Sequence, residues 1–135
     1  MSIFAVYDTN ILVSGLLSKR PDSAVVLTLE ALLNKEVIPL YNQEILDEYK
    51  EVLHRDKFKL PKELVDSVVG QIEKDGIAAD RVHSDEEFID LDDAVFYEVA
   101  LSKEDTFLVT GNAKHFPKTP IVVSPAEFLK ILGKR

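Results

Sequence analysis

Residues 3–10 read IFAVYDTN, five uninterrupted apolar side chains from Ile3 to Tyr7 closed by Asp8, Thr9 and Asn10. A short continuous apolar run is the mark of a strand buried on both faces, the usual state of a strand in a parallel sheet. Working outward, 37–41 (VIPLY) reads as a second strand, and Pro39, which lacks a ladder N–H, argues for an edge or irregular one. The run 106–110 (TFLVT) is a clear strand, 121–123 (IVV) a short one, and 77–82 (IAADRV) a weaker candidate. Between them lie helical stretches. Residues 23–35 are apolar nearly all round, which requires deep burial or a covering partner. Asn42 caps a segment striped by Ile45, Leu46, Tyr49, Val52 and Leu53. Pro61 opens a helix that stops at Gly76, another runs from about Ala94 to Lys103, and Ser124-Pro125 starts the last. Strands alternate with helices and no tight hairpin signal occurs. The fold class is therefore α/β, a mainly parallel sheet covered by helices.

The 135 residues suit a single domain, 1–135, with 46% hydrophobic and 30% charged residues. No apolar run approaches the roughly 18 residues of a membrane span, and no secretory signal opens the chain. The absence of cysteine excludes disulfides and thiolate metal sites and fits a cytoplasmic setting. A net charge of −8 argues against a binder that relies on phosphate contacts alone. Either the acidic surface is merely solvated, or some carboxylates converge on divalent cations that meet phosphate in their place.

Ligands of parallel α/β sheets bind beyond the carboxyl ends of the strands, so polar residues there carry most weight. Asp8 ends the first strand; it either serves a site or, with Asn10, caps a helical turn. Thr110-Gly111-Asn112 ends the strand at 106–110, with Gly111 read as a turn residue of unusual φ. On a helical wheel, Glu48 lies about 40° from the apolar stripe of its helix, while Glu44, Asp47 and Glu51 lie farther into solvent. It can snorkel outward or point along the buried face to the strand ends. The run Asp90-Leu91-Asp92-Asp93 holds more acid than one N-cap needs. Carboxylates held close together require a positive partner or a retained proton, and a hard divalent cation is the commonest such partner. No glycine-rich phosphate loop is present.

Taken in order, VYDTNILVSGLL (6–17), ILDEYKEVL (45–53), DLDDAVFYEVAL (90–101) and TFLVTGNAKHFP (106–117) resemble the motifs of the PIN-domain family across nearly the whole chain. The likeness is greatest to toxins of toxin–antitoxin pairs, the VapC-like ribonucleases. The resemblance implies a three-layer α/β/α sandwich with about five strands and metal-dependent cleavage of single-stranded RNA. It implies Asp8, Glu48 and Asp93 as catalytic residues, Asp8, Asp93 and Asn112 as ligands of Mg²⁺ or Mn²⁺, and Asn10 and Thr110 as polar neighbours. Asn112 is a departure, because many relatives carry an aspartate there. Its amide oxygen can ligate a cation or its water but adds no negative charge for a second metal.

The resemblance also implies RNA as substrate, an antitoxin as partner, and a homodimer or higher oligomer. The helix bearing Val25, Val26, Leu29 and Leu33 would suit such an interface or plain core burial. A basic strip of His54, Arg55, Lys57 and Lys59, with Lys114 and Lys118, could engage RNA or be ordinary solvated surface. The rival within the family is a catalytically weak module that binds RNA or a protein. A phosphotransfer domain also places an aspartate after its first strand, but the second acid expected two residues on is here Asn10.

Overall fold

The computed structural model describes residues 2–134. Five parallel strands, β1 (Phe4–Tyr7), β2 (Ile38–Tyr41), β3 (Ile77–Ala78), β4 (Thr106–Val109) and β5 (Val122–Val123), stand in the order β3-β2-β1-β4-β5. Six α-helices accompany them among the described residues: α1 (Thr9–Leu17), α2 (Ala24–Leu33), α3 (Gln43–Leu53), α4 (Lys62–Asp75), α5 (Ala94–Ala100) and α6 (Pro125–Ile131). This is the α/β fold expected. None of these helices is long and apolar enough to cross a membrane.

Ala5, Val6 and Tyr7 point alternately to the two faces of the sheet, and each is at most 1% exposed, so helices cover both faces. On one face the Tyr7 and Phe107 rings meet Phe128 of α6 edge-on. Tyr7 also donates its hydroxyl to the Thr28 carbonyl of α2. The helix α5 packs across β1, β2 and β4, and its Phe96 lies against Tyr49 of α3.

Three readings of the sequence are corrected. The segment after Asp8 is a nine-residue helix, α1, where only a helical turn was considered. Its apolar residues do not form one stripe because it packs on several neighbours, α2 and α3 among them. Gly15 permits that approach, since a Cβ there would stand 2.8 Å from the Leu29 side chain. Next, β2 is an interior strand despite Pro39. The Ile38 N–H donates to the Ile3 carbonyl of β1, so Pro39 faces the other way, towards β3. Pairing with β3 begins only at Leu40↔Ile77, so the missing donor is not needed. Finally, β3 spans two exposed residues and α5 stops at Ala100, both shorter than their apolar patterns suggest.

The apolar α2 is part core, with Val25, Val26 and Leu33 only half-buried. Thr28, Leu29, Ala31 and Leu32 are buried, and the helix lies against α1, α4 and α6. At its start Ser23 accepts from the Val26 amide, as Asn42 does from Ile45 at the start of α3. A reciprocal box between Ser124 and Glu127 starts α6.

Candidate active site

Because β1 leads to β2 on one side and the chain later returns to β4 on the other, the order of strands switches between β1 and β4. Asp8 and Thr110 are the first residues beyond these two strands. Both are held by the ladder: the Asp8 amide donates to the Val109 carbonyl at 2.9 Å, and the Thr110 amide to Val123 at 3.0 Å. The Thr110 hydroxyl donates to Asp8 Oδ2 at 2.7 Å in a buried contact. It also accepts from the Asn112 amide at 3.0 Å, a side-chain turn that bends the chain. Gly111 consequently needs no unusual φ, contrary to expectation; it is absent from the positive-φ residues and a Cβ there would meet nothing.

Asp8 stands at the N-cap position of α1, close to the Thr9 and Asn10 amides, and its Oδ2 is held at the strand ends by Thr110. Across the strand ends, α3 presents Glu48. It alone among the acids of that helix is half-buried, while Glu44, Asp47 and Glu51 are exposed. The Thr9 hydroxyl donates to Glu48 Oε2 at 2.5 Å and so fixes it beside Asp8. Below it, the buried Tyr49 donates to the Tyr7 carbonyl and anchors α3 to the end of β1.

The third acid arrives from the segment before α5. Asp90 takes the capping duty there, accepting from the Asp92 amide at 2.9 Å, and the turn Leu91–Asp93 follows. Asp92 stays exposed, whereas Asp93 is half-buried and makes no cap hydrogen bond. Asp93 Oδ2 is buried without a hydrogen-bond partner. The His115 Nδ1 lies 3.5 Å from it.

Asp8, Asn10, Glu48, Asp93 and Asn112 line one cleft of about 290 Å³, together with Asp90, Asp92, Arg55 and His115. Asn10 stands exposed at its mouth, and Thr110 is buried behind Asp8. The acids disfavour each other's charge. Asp93 is pushed up to about 6 by burial first, then by Asp8 and Asp90, against an opposing pull from His115. Burial also raises Asp8, offset in part by the Thr110 hydroxyl and the amides of Thr9 and Asn10. Glu48 is raised by burial and by the charges of Asp8, Asp92 and Asp90, with the Thr9 hydroxyl opposing. An unpartnered buried carboxylate oxygen amid mutually repelling acids is a donor set that a hard divalent cation would satisfy. As the side chains stand, however, no group of three Asp, Glu or His among the described residues is gathered tightly enough to clasp an ion. One oxygen each of Asp8 and Glu48 is occupied by a threonine hydroxyl.

His115 was not singled out from the sequence. Its only signal there is its place five residues beyond Thr110, in the turn Ala113–His115 that follows β4. Two members of the candidate basic strip are held by acids. Arg55 is held in a two-pronged pair by Glu51, with both nitrogens at 2.8 Å, and His54 lies 3.3 Å from Asp66. Arg81, also not anticipated, bridges Glu44 and the buried Glu98. Glu98 in turn accepts from the Ser84 amide, tying the segment before the acidic turn to α5.

The profile described as PIN domain matches residues 5–114, which contain all of these acids and the Thr110–Asn112 turn. Neither a curated protein nor a solved structure matches the chain significantly. PIN domains are generally nucleases and typically use divalent metals. The parallel sheet, the site at its switch point and the extent of the match together make the chain a member of the PIN domain family.

Proposed function

We propose that this chain is a Mg²⁺- or Mn²⁺-dependent endoribonuclease of single-stranded RNA, acting as a single domain and as the toxin of a toxin–antitoxin pair. The observation that carries the nuclease reading is the convergence of Asp8, Glu48 and Asp93 on one cleft, with Asp93 Oδ2 buried and unpartnered. Membership of a nuclease family supports it. The toxin role, the antitoxin partner, a homo-oligomeric state and a cytoplasmic location rest on the resemblance of the motifs and the lack of cysteine.

Asp8, Asp93 and the Asn112 amide oxygen are the proposed metal ligands, with Glu48 completing the negative wall. When bound, the cation supplies Lewis acidity and a bound water of lowered pKa for attack on phosphorus. The chain's own part is positioning. Thr110 orients Asp8 and Thr9 orients Glu48 through hydrogen bonds. Asp93, raised to about 6, loses its proton easily at neutral pH once a cation offsets its neighbours. Asn10 at the mouth of the cleft can donate to a phosphate oxygen or ribose. No side chain need act as a nucleophile.

A second reading, a catalytically weak module that binds RNA or a protein, is favoured by one feature. Asn112 lines the cleft where an acid would add charge. Incubation of the chain with single-stranded RNA and Mg²⁺ or Mn²⁺, with EDTA as control, separates the two. Cleavage should fall at least about 100-fold in Asp8→Asn and in Asp93→Asn, since the Lewis-acid contribution is worth several kcal/mol. Equal cleavage by all three proteins would overturn the assignment of the site. Cleavage by none, with RNA or partner binding retained, would establish the second reading.

A further inference from the structure

Beside the acidic cleft lies a second depression, of about 440 Å³, and the two share a wall. That wall is the turn at Ala113–His115. Asn112 and His115 face the cleft, while Ala113, Lys114 and Phe116 face the neighbouring depression. Its other lining residues are Pro117, Lys118, Thr119 and Val122.

The chemistry of this depression is unlike that of the cleft. Phe116, Pro117 and Val122 give it an apolar floor. Lys114 and Lys118 are exposed at it, and neither makes an ion pair among the described residues. By contrast, Arg55, the basic side chain in the cleft itself, is neutralised by Glu51. The Thr119 hydroxyl is buried without a hydrogen-bond partner. An apolar lining beside two uncommitted ammonium groups suits a nucleotide, which offers an apolar π-face and an anionic phosphate.

We infer that this depression is a nucleotide subsite of the RNA-binding surface, seating a base of the strand adjacent to the position held over the acidic cleft. Lys114 and Lys118 take the phosphates flanking that base, and Pro117 and Val122 lie against its apolar face. The inference rests on the proposed function, because it assigns the path of that substrate. It also answers how a chain of charge −8 holds a polyanion. Attraction is local, supplied by two lysines on the far side of the wall from the acids.

The test uses a short single-stranded RNA bearing 4-thiouridine, in EDTA so that cleavage does not intervene. Photocrosslinks should map to residues 113–122. The Lys114→Gln/Lys118→Gln double variant should bind the same RNA about tenfold more weakly. Its slope of log affinity against log salt should be shallower by about 1.4, at about 0.7 per lost phosphate contact. Crosslinks outside 113–122, or binding by the double variant within twofold of the parent, would overturn the inference. The two proposals fail separately. If the chain cleaves RNA but crosslinks map elsewhere, only the subsite is lost. If it crosslinks at 113–122 but never cleaves with Mg²⁺ or Mn²⁺, only the nuclease reading is lost.

Discussion

At the scale of single residues, Asp93 shows how the cleft holds free energy that a ligand can recover. Its carboxyl is raised to about 6, against an unfolded value near 3.8. An acid whose pKa is higher in the folded chain adds stability while protonated and loses it as pH rises. In EDTA, stability should therefore decline between about pH 4 and pH 6 from this residue, with Asp8 and Glu48, also raised, contributing in the same direction. The Asp93 side chain is only 19% exposed, so most of the shift reports a true folding cost. Asp93→Asn removes the charge at nearly constant shape. At pH 7.5 in EDTA it should stabilise the chain by about 1–2 kcal/mol, or raise Tm by roughly 3–8 °C. Scanning calorimetry of the two proteins would read this. A lowered Tm would mean that the carboxylate is a structural group and not one held under repulsion.

At the scale of elements, the site depends on how strand and helix ends are fastened. Gly76 illustrates this at the far end of the sheet, where α4 hands over to β3. Its φ of −96° is ordinary, so the need for glycine is steric. A Cβ there would lie 2.4 Å from the Pro39 carbonyl oxygen and 2.6 Å from that of Ile72. Gly76→Ala should cost about 2 kcal/mol or more by driving α4 away from β2. A urea midpoint unchanged from the parent would refute that close approach. This also marks where sequence reading succeeds and fails. The strands β1 and β4, the capped starts of α3 and α6, and the half-buried placing of Glu48 all follow from local pattern, because each is set by residues within one or two turns. The helix α1, the interior place of β2 and the role of His115 do not. They depend on which neighbour a residue meets across the fold: Leu29 against Gly15, β3 beginning only after Pro39, and a turn that folds back on Asp93. Likewise, Asp90 and Asp93 are alike in composition. Motif resemblance picks out Asp93, and its physical reason is that the Asp92 amide takes Asp90 as its cap.

For the whole molecule, the parallel sheet brings together acids from positions 8, 48 and 93, which no local interaction could assemble. The price is a cluster of negative charge in a chain already at −8, which the fold offsets with threonine hydroxyls, the Thr9 and Asn10 amides and one histidine. A divalent cation that binds the folded chain and not the unfolded one should therefore stabilise the molecule through linkage. Its binding should weaken as pH falls through about 6, where Asp93 takes a proton. The central claim is that these three carboxylates make a cation site, and titration of the metal-free chain with Mn²⁺ at pH 7.5, followed by calorimetry, tests it most directly. The account predicts saturable binding that is abolished or at least about tenfold weaker in both Asp8→Asn and Asp93→Asn. Absence of saturable binding, or binding that both variants retain unchanged, would contradict it.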